Sequence, residues 1–440
     1  MRPSHPDRTS DQRPVADLLL DAARRGVHYR ETLSARAVAP GPEALAALSE
    51  LRTALPEQGR DPSEVIALLD RVASPATVAM AGGRYFGFVN GSSLPVASNW
   101  LATAWDQNCA MHVMSPAAAT IESVALEWLL DVLRLPATSA GAFVVGATMA
   151  NVTALAAARH AVLARVGWDV DNDGLFGAPS LTVVVGEEVH ATVRRALGLL
   201  GLGRSRTVTL PVDRQGRMRA DALPRLDGPT IVCIQAGNVN TGAVDPASEI
   251  CEWAKDRGGW VHVDGAFGLW ARATPTRADQ ANGYELADSW AIDAHKWLNV
   301  PYDCGMALVR DDAALRAAMV MSAAYLPESG PRDPMHYSPD GSRRALLPSR
   351  HPHCWPTRRR RPRDSERCPA ESSAGRLRRR PPHSARDRRC ARRWRVLVWR
   401  HQVAGARRDA DQCLLVGHNR RGRGPVGCFH TRCGCSCQQT

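Results

Sequence analysis

Between residues 117 and 135 the apolar positions Ile121, Val124, Trp128, Leu129, Val132 and Leu133 recur at the i, i+3, i+4, i+7 spacing of one helix face, and Pro136 ends the run. This predicts a core helix. Further along the period changes. Short continuous apolar runs, AFVVG (142–146), LTVVV (181–185), TIVCIQ (230–235), WVHVD (260–264), SWAID (289–293) and CGMALV (304–309), alternate with helical stretches at 149 to about 166, from 191 onward, and at 246–257. Unbroken Val/Ile runs separated by helices predict an α/β fold with a mostly parallel sheet covered on both faces. In such sheets a ligand sits at the carboxyl ends of the strands. Upstream, VADLLLDAARRG and PEALAALSELRTAL place apolar residues at helical spacing, so residues 1–75 are predicted to form an N-terminal helical arm.

The chain has 440 residues, 44% hydrophobic and 23% charged, which allows a large core and excludes a collagen, a wholly disordered chain and a disulfide miniprotein. No run approaches the roughly 18 apolar residues that span a bilayer. The opening MRPSHPDRTSDQRP is too polar for a signal peptide, so the expectation is a cytoplasmic protein without a membrane partner. The net charge of +12 suggests nucleic acid, but it is unevenly distributed. Residues 346–440 hold 24 Arg, no Lys and 6 acidic residues, leaving 32 basic and 38 acidic residues in 1–345. The body is therefore acidic, and no nucleic-acid partner is expected. Eight of the twelve cysteines also lie beyond residue 345, among them Cys428, Cys433, Cys435 and Cys437. Against 54 arginines there are only two lysines, Lys255 and Lys296, which makes each worth locating.

Four features stand at predicted strand ends. WVHVD ends in Asp264, followed by GAFG, whose small residues let a ligand approach. SWAIDAHKW puts Lys296 just beyond another strand, between His295 and Trp297. Apolar surroundings favour the neutral amine that forms a Schiff base. AFVVGATMA supplies a strand, a small-residue turn through Gly146, Ala147 and Thr148, and then a helix whose free N–H groups attract phosphate. VVVGEEVHATV sets His190 after a strand at a helix start. Taken singly, each has an ordinary structural reading: a turn cap, a solvated lysine, an N-cap threonine, a capping histidine. Together they supply a phosphate cradle, a carboxylate for a pyridinium nitrogen, an imidazole to stack on a ring and a Schiff-base lysine, the set that pyridoxal phosphate requires.

With these residues in place the chain resembles the group II pyridoxal-phosphate decarboxylases, the family of aromatic amino acid, glutamate, histidine and diaminobutyrate decarboxylases. DAHKWLNVPYDCG (293–305) carries the resemblance most specifically, supported by YFGFVNG, GATMANVTALAAAR, EEVHATVRRA, AGNVNTGAVDP and HVDGAFG, in family order over about residues 15–345. The resemblance implies a fold-type-I large domain and pyridoxal 5'-phosphate. It implies Lys296 as the Schiff-base lysine, Asp264 on the ring nitrogen, His190 stacked on the ring, Ala147, Thr148 and His295 at the phosphate, and Ala266 against the cofactor. Gly265 stands where Ala is common and Phe267 where an aromatic residue, often Tyr, is usual; neither opposes cofactor binding. It further implies an amino acid substrate lost as amine and carbon dioxide, a homodimer, and a loop tyrosine that returns a proton, for which Tyr337 is the candidate. Other fold-type-I activities, an aldehyde-releasing lyase or an aminotransferase, share Asp and Lys and stay open, as does a non-catalytic remnant that still binds cofactor.

The resemblance places the cofactor-binding large domain at 76–310 and a linker with the catalytic loop at 311–345. Beyond residue 345 it stops, where the family continues into a small C-terminal domain. LLPSRHPHCWPTRRRRPRDSERC has no amphipathic period, and RRRR and CGCSC build no recognisable domain. A basic nucleic-acid tail and a zinc site at Cys428 to Cys437 compete with out-of-frame translation of a G+C-rich gene. Only the last accounts together for the Arg, Cys and Trp excess and the abrupt junction. The expectation is that 346–440 is disordered, that no metal binds, and that turnover by the chain as written is poor.

Overall fold

In the computed structural model the described residues are 15–54, 58–88, 90, 96–225, 227–323, 326 and 332–339. The segment 346–440, with its cysteine cluster, lies outside them, as does most of the loop at 324–331.

The N-terminal arm consists of α1 (Val15–Thr32), α2 (Pro42–Ala47) and α3 (Pro62–Ala73). α3 starts where the sequence signals a start: Pro62 takes the first position and the Asp61 carboxylate accepts from Ser63 N–H at 2.6 Å. Arg25 joins α1 to α3 by pairing with Asp21 at 2.9 Å and with Asp70 at 3.0 Å. After α4 (Val96–Trp105) comes the predicted core helix, α5 (Pro116–Val132), capped by Ser115 and burying Ala118, Ala125, Leu126, Leu129 and Leu130. Carbonyls at its carboxyl end are taken up by the buried Arg272, which donates to Leu133 O at 2.6 Å and Arg134 O at 3.0 Å and pairs with Glu285 at 2.6 Å. Hydrogen bonds on every side are what make a buried guanidinium tolerable there.

The centre is a seven-stranded sheet: β1 (Ala140–Val144), β2 (Thr182–Gly186), β3 (Thr207–Leu210), β4 (Thr230–Gln235), β5 (Trp260–Asp264), β6 (Ser289–Asp293) and β7 (Gly305–Val309), in the order β1-β7-β6-β5-β4-β2-β3. All ladders are parallel except those of β7, which runs antiparallel to both β1 and β6. The six strands expected from apolar runs are present within about two residues. β3 was not anticipated, because TVTL alternates and lies at an edge where Val208 is 39% exposed. The helices linking the strands are α6 (Ala147–Ala164), α7 (Val170–Asp173), α8 (Ala191–Leu199) and α9 (Ala247–Lys255), and α10 (Asp312–Met319) follows β7. Ala150, Ala154, Ala157 and Ala158 of α6 are fully buried. Alanines on that face let the helix axis lie close to the sheet, and α6 with α8 and α10 closes one face of the core. Among the described residues no helix is long and apolar enough to cross a membrane.

The topology sets three polar strand ends side by side. The last residues of β4, β5 and β6 are Gln235, Asp264 and Asp293, neighbours along a single sheet edge. β7 begins at that edge and β1 ends there, because Val144 pairs with Gly305.

Candidate active site

At the edge between β1 and β7 the backbone itself forms a cradle. Gly146 follows β1 at φ +151°, a conformation that side chains disfavour, and a Cβ there would stand 3.3 Å from His295 Cε1 and 3.4 Å from Asp293 Oδ1. Gly305 is tighter: a Cβ on it would fall 2.5 Å from Gly146 Cα. Replacing Gly305 by alanine is expected to force β7 from α6, costing about 1–3 kcal/mol and weakening cofactor binding. Thermal melting and cofactor titration check this, and unchanged values for both contradict it. The helix expected from residue 149 starts at Ala147, so Ala147 and Thr148 form its first turn with their N–H groups toward the cradle end.

His295 and Lys296 follow β6. His295 is buried, and its Nδ1 accepts from Cys304 N–H at 3.1 Å, which leaves the ring proton on Nε2, 3.5 Å from Asp293 Oδ1. Burial holds this imidazole below the usual histidine range, against the opposing pull of Asp293. Tyr302 stacks on the ring with centroids 3.9 Å apart. Lys296 Nζ pairs with Asp293 Oδ2 at 2.9 Å and lies 6.0 Å from the centre of the Phe267 ring.

On the neighbouring strand, Asp264 is buried and its Oδ1 accepts from Ala266 N–H at 3.2 Å, which ties these two predicted residues together. Its Oδ2 lies 3.3 Å from the Thr192 hydroxyl, which is in turn 2.7 Å from His190 Nδ1. The His190 imidazole is exposed, and its main-chain N–H donates to Gln235 Oε1 at 3.0 Å.

A buried relay supports Thr192 from below. Trp260 Nε1–H donates to Ser289 Oγ at 2.9 Å, and the Ser289 hydroxyl faces His262 Nδ1 at 2.9 Å. His262 Nε2 meets Asn151 Oδ1 at 2.8 Å, and the Asn151 amide donates to Thr192 Oγ1 at 3.3 Å. An amide oxygen only accepts, so His262 carries its proton on Nε2. Burial drops its pKa to about 3. With the folded value below the unfolded one, His262 contributes stability above about pH 6.5 that is lost as pH falls toward 3, at roughly 1.4 kcal/mol per unit. Its ring protons are expected not to titrate between pH 8 and about 4 by NMR; a midpoint near 6.5 contradicts the burial argument.

Six of the predicted residues, Ala147, His190, Asp264, Ala266, His295 and Lys296, therefore meet along one edge, with Thr148 in the adjoining helical turn. Tyr337 is not brought to them. It is buried in the core cluster with α6, α8 and α10, under the Arg332 guanidinium at 3.8 Å. Burial, with the charge of Asp312 beside it, pushes its phenol above the usual range. Asp312 opens α10 beyond the far end of β7, one strand length from Gly305. Placed there, the phenol reaches neither Lys296 nor Asp264. Asp293, Thr192, Asn151 and Tyr302 were missed by the sequence reading. Asp293 carried a usable signal: like Asp264, it ends a central strand.

The donor set fits pyridoxal phosphate: a glycine cradle under a helix start, a buried carboxylate at the end of β5, and an amine between them. Fold and site together define a pyridoxal-phosphate-binding α/β protein of the fold-type-I class. The chain belongs to the pyridoxal-dependent decarboxylase family, whose conserved domain matches residues 47–352. It is 30% identical over 291 residues to the aromatic-L-amino-acid decarboxylase of Bacillus atrophaeus, covering 64% of this chain and 58% of that one. To the L-2,4-diaminobutyrate decarboxylase of Acinetobacter baumannii it is 29% identical over 255 residues, covering 53% and 49%. The chain thus spans about half the length of these curated relatives. The crystal structure of Oryza sativa TDC with PLP and tryptamine superposes with a TM-score of 0.68 at 24% identity, covering 77% of this chain and 74% of that one. That likeness establishes the shared fold.

Proposed function

We propose that this protein decarboxylates an L-amino acid to its amine and carbon dioxide with pyridoxal 5'-phosphate. The observation that carries the reading is the placement of Lys296 between Asp264 and the α6 cradle on a single sheet edge, in a chain of the decarboxylase family. The cofactor supplies the electron sink for the pair left when the bond to carbon dioxide breaks. Lys296 is the amine that would tether it. The Asp264 carboxylate would keep a proton on the ring nitrogen, with its own orientation fixed by Ala266 N–H and Thr192. His190 offers a flat imidazole to one ring face. Thr148 and His295 would offer N–H groups to the phosphate, with Ala147 beside them in the same turn.

The substrate's side chain is not specified by these residues. Amine and carbon dioxide released from one of a panel of aromatic, acidic and diamino acids support the reading. Aldehyde with ammonia, or amino transfer to a keto acid, replaces it with the corresponding fold-type-I activity.

A homodimer is part of the same proposal. Phe86 (78% exposed), Phe88 (79%), Leu101 (56%) and Val113 (56%) are large apolar side chains left open to solvent, of the kind that oligomers bury. Sedimentation is expected to give twice the chain mass. We also infer from the composition that residues beyond about 345 are read out of frame. Resequencing across codons 335–360 is expected to show a gained or lost base; the corrected product turns over, and the chain as written binds cofactor with little turnover. A confirmed reading frame contradicts the inference.

A further inference from the structure

The Lys296 cluster contains a charge that the reaction above does not use. Asp293 is 4% exposed, and its Oδ1 accepts from Ala147 N–H at 2.6 Å at the opening of the 18-residue helix α6. Its Oδ2 meets Lys296 at 2.9 Å. A carboxylate therefore occupies the place in the cradle that the proposed function gives to the cofactor's phosphate, and the inference rests on that function. A phosphate monoester loses its second proton near pH 6, so at neutral pH the incoming group is mostly a dianion. Two neighbouring anions in a cradle shielded from water repel strongly enough to weaken binding about tenfold or more.

We propose that Asp293 makes the cradle take up the phosphate together with one proton, held between the carboxylate and a phosphate oxygen. The shared proton converts the repulsion into a charge-assisted O–H···O hydrogen bond. Lys296 is the cation in contact with Asp293. His295 faces it as a neutral imidazole, with Tyr302 stacked behind, and Asp303 and Tyr85 stand beside Tyr302. The first turn of α6, Ala147 to Ala150, brings no ionisable group, the start of β7 brings Gly305, and Trp270 brings only its N–H, donated to Asp293 O at 3.1 Å. The proton must therefore sit on Asp293, on the phosphate or on His295.

The test uses the full chain and pyridoxine 5'-phosphate, which carries ring and phosphate but no aldehyde, so that no covalent step contributes. Calorimetric titration near pH 8 in two buffers of different ionisation enthalpy reads the protons taken up. The native protein is expected to take up about one proton with this probe and none with unphosphorylated pyridoxine. In Asp293→Asn the amide oxygen still accepts from Ala147 N–H while the charge is gone. Uptake is then expected to vanish and binding to tighten about tenfold. Binding by the native protein without proton uptake overturns the proposal, as does an Asp293→Asn variant that binds no tighter. Uptake that persists in Asp293→Asn and disappears in His295→Gln overturns it in favour of the imidazole. No binding of the phosphorylated probe at all overturns both this proposal and the placement of the phosphate. If the variant does not fold, the native protein's uptake, compared with that of His295→Gln, decides.

Discussion

Replacing Lys296 by alanine is expected to abolish the borohydride-reducible absorbance that pyridoxal phosphate acquires on binding and to lower turnover by about 10³-fold or more. The reason lies in what else could serve. Lys255, the other lysine of the chain, is on α9, at the end of that helix remote from the strand ends, so no second lysine is within reach of the cradle. Loss of the tether leaves Asp264, His190 and the α6 turn intact. The variant should therefore still bind the cofactor, more weakly and reversibly, with the spectrum of the free aldehyde. A native-like imine absorbance in Lys296→Ala would show that another amine forms the link. The ion pair with Asp293 also disappears, so the melting temperature should be compared with that of Lys296→Gln to separate folding from chemistry.

Replacing Asp264 by asparagine is expected to keep the cofactor bound and cut turnover by about 10²–10³-fold. Asp264 is buried beside Ala266 N–H and Thr192, and an amide of the same size can keep one of those contacts. What it cannot do is hold a proton on a pyridine nitrogen by its charge, so the ring becomes a poorer acceptor for electrons. Binding depends on the cradle and Lys296 and should change little, giving a fall in kcat with the cofactor dissociation constant nearly unchanged. Equal turnover in the variant would remove Asp264 from the chemistry. A large loss of cofactor binding would make its role structural.

Much of this arrangement was legible in the sequence because parallel strands announce themselves as unbroken apolar runs and place their last residues at one edge. TIVCIQ, WVHVD and SWAID could thus be aligned from the sequence alone, and Asp264 and Lys296 came with them. The edge strand β3 escaped because a half-exposed strand has no such run. Contacts made through folding were also hidden. Nothing local to Thr192 shows that it stands between His190 and Asp264, or that Asn151, His262 and Ser289 support it, since those partners come from three other elements. Tyr337 shows the converse limit: its position after the lysine suggested a loop residue, yet Arg332 and the α10 start hold its ring in the core. Asp293 was read as the end of a strand. Only its distances to Ala147 and Lys296 show it standing in the cradle.

The most direct measurement is to load the protein with pyridoxal phosphate, reduce with borohydride, digest, and locate the modified residue by mass spectrometry. The account predicts a single pyridoxyl adduct, on Lys296. An adduct confined to Lys255 or to the amino terminus, or none after saturating cofactor, contradicts it.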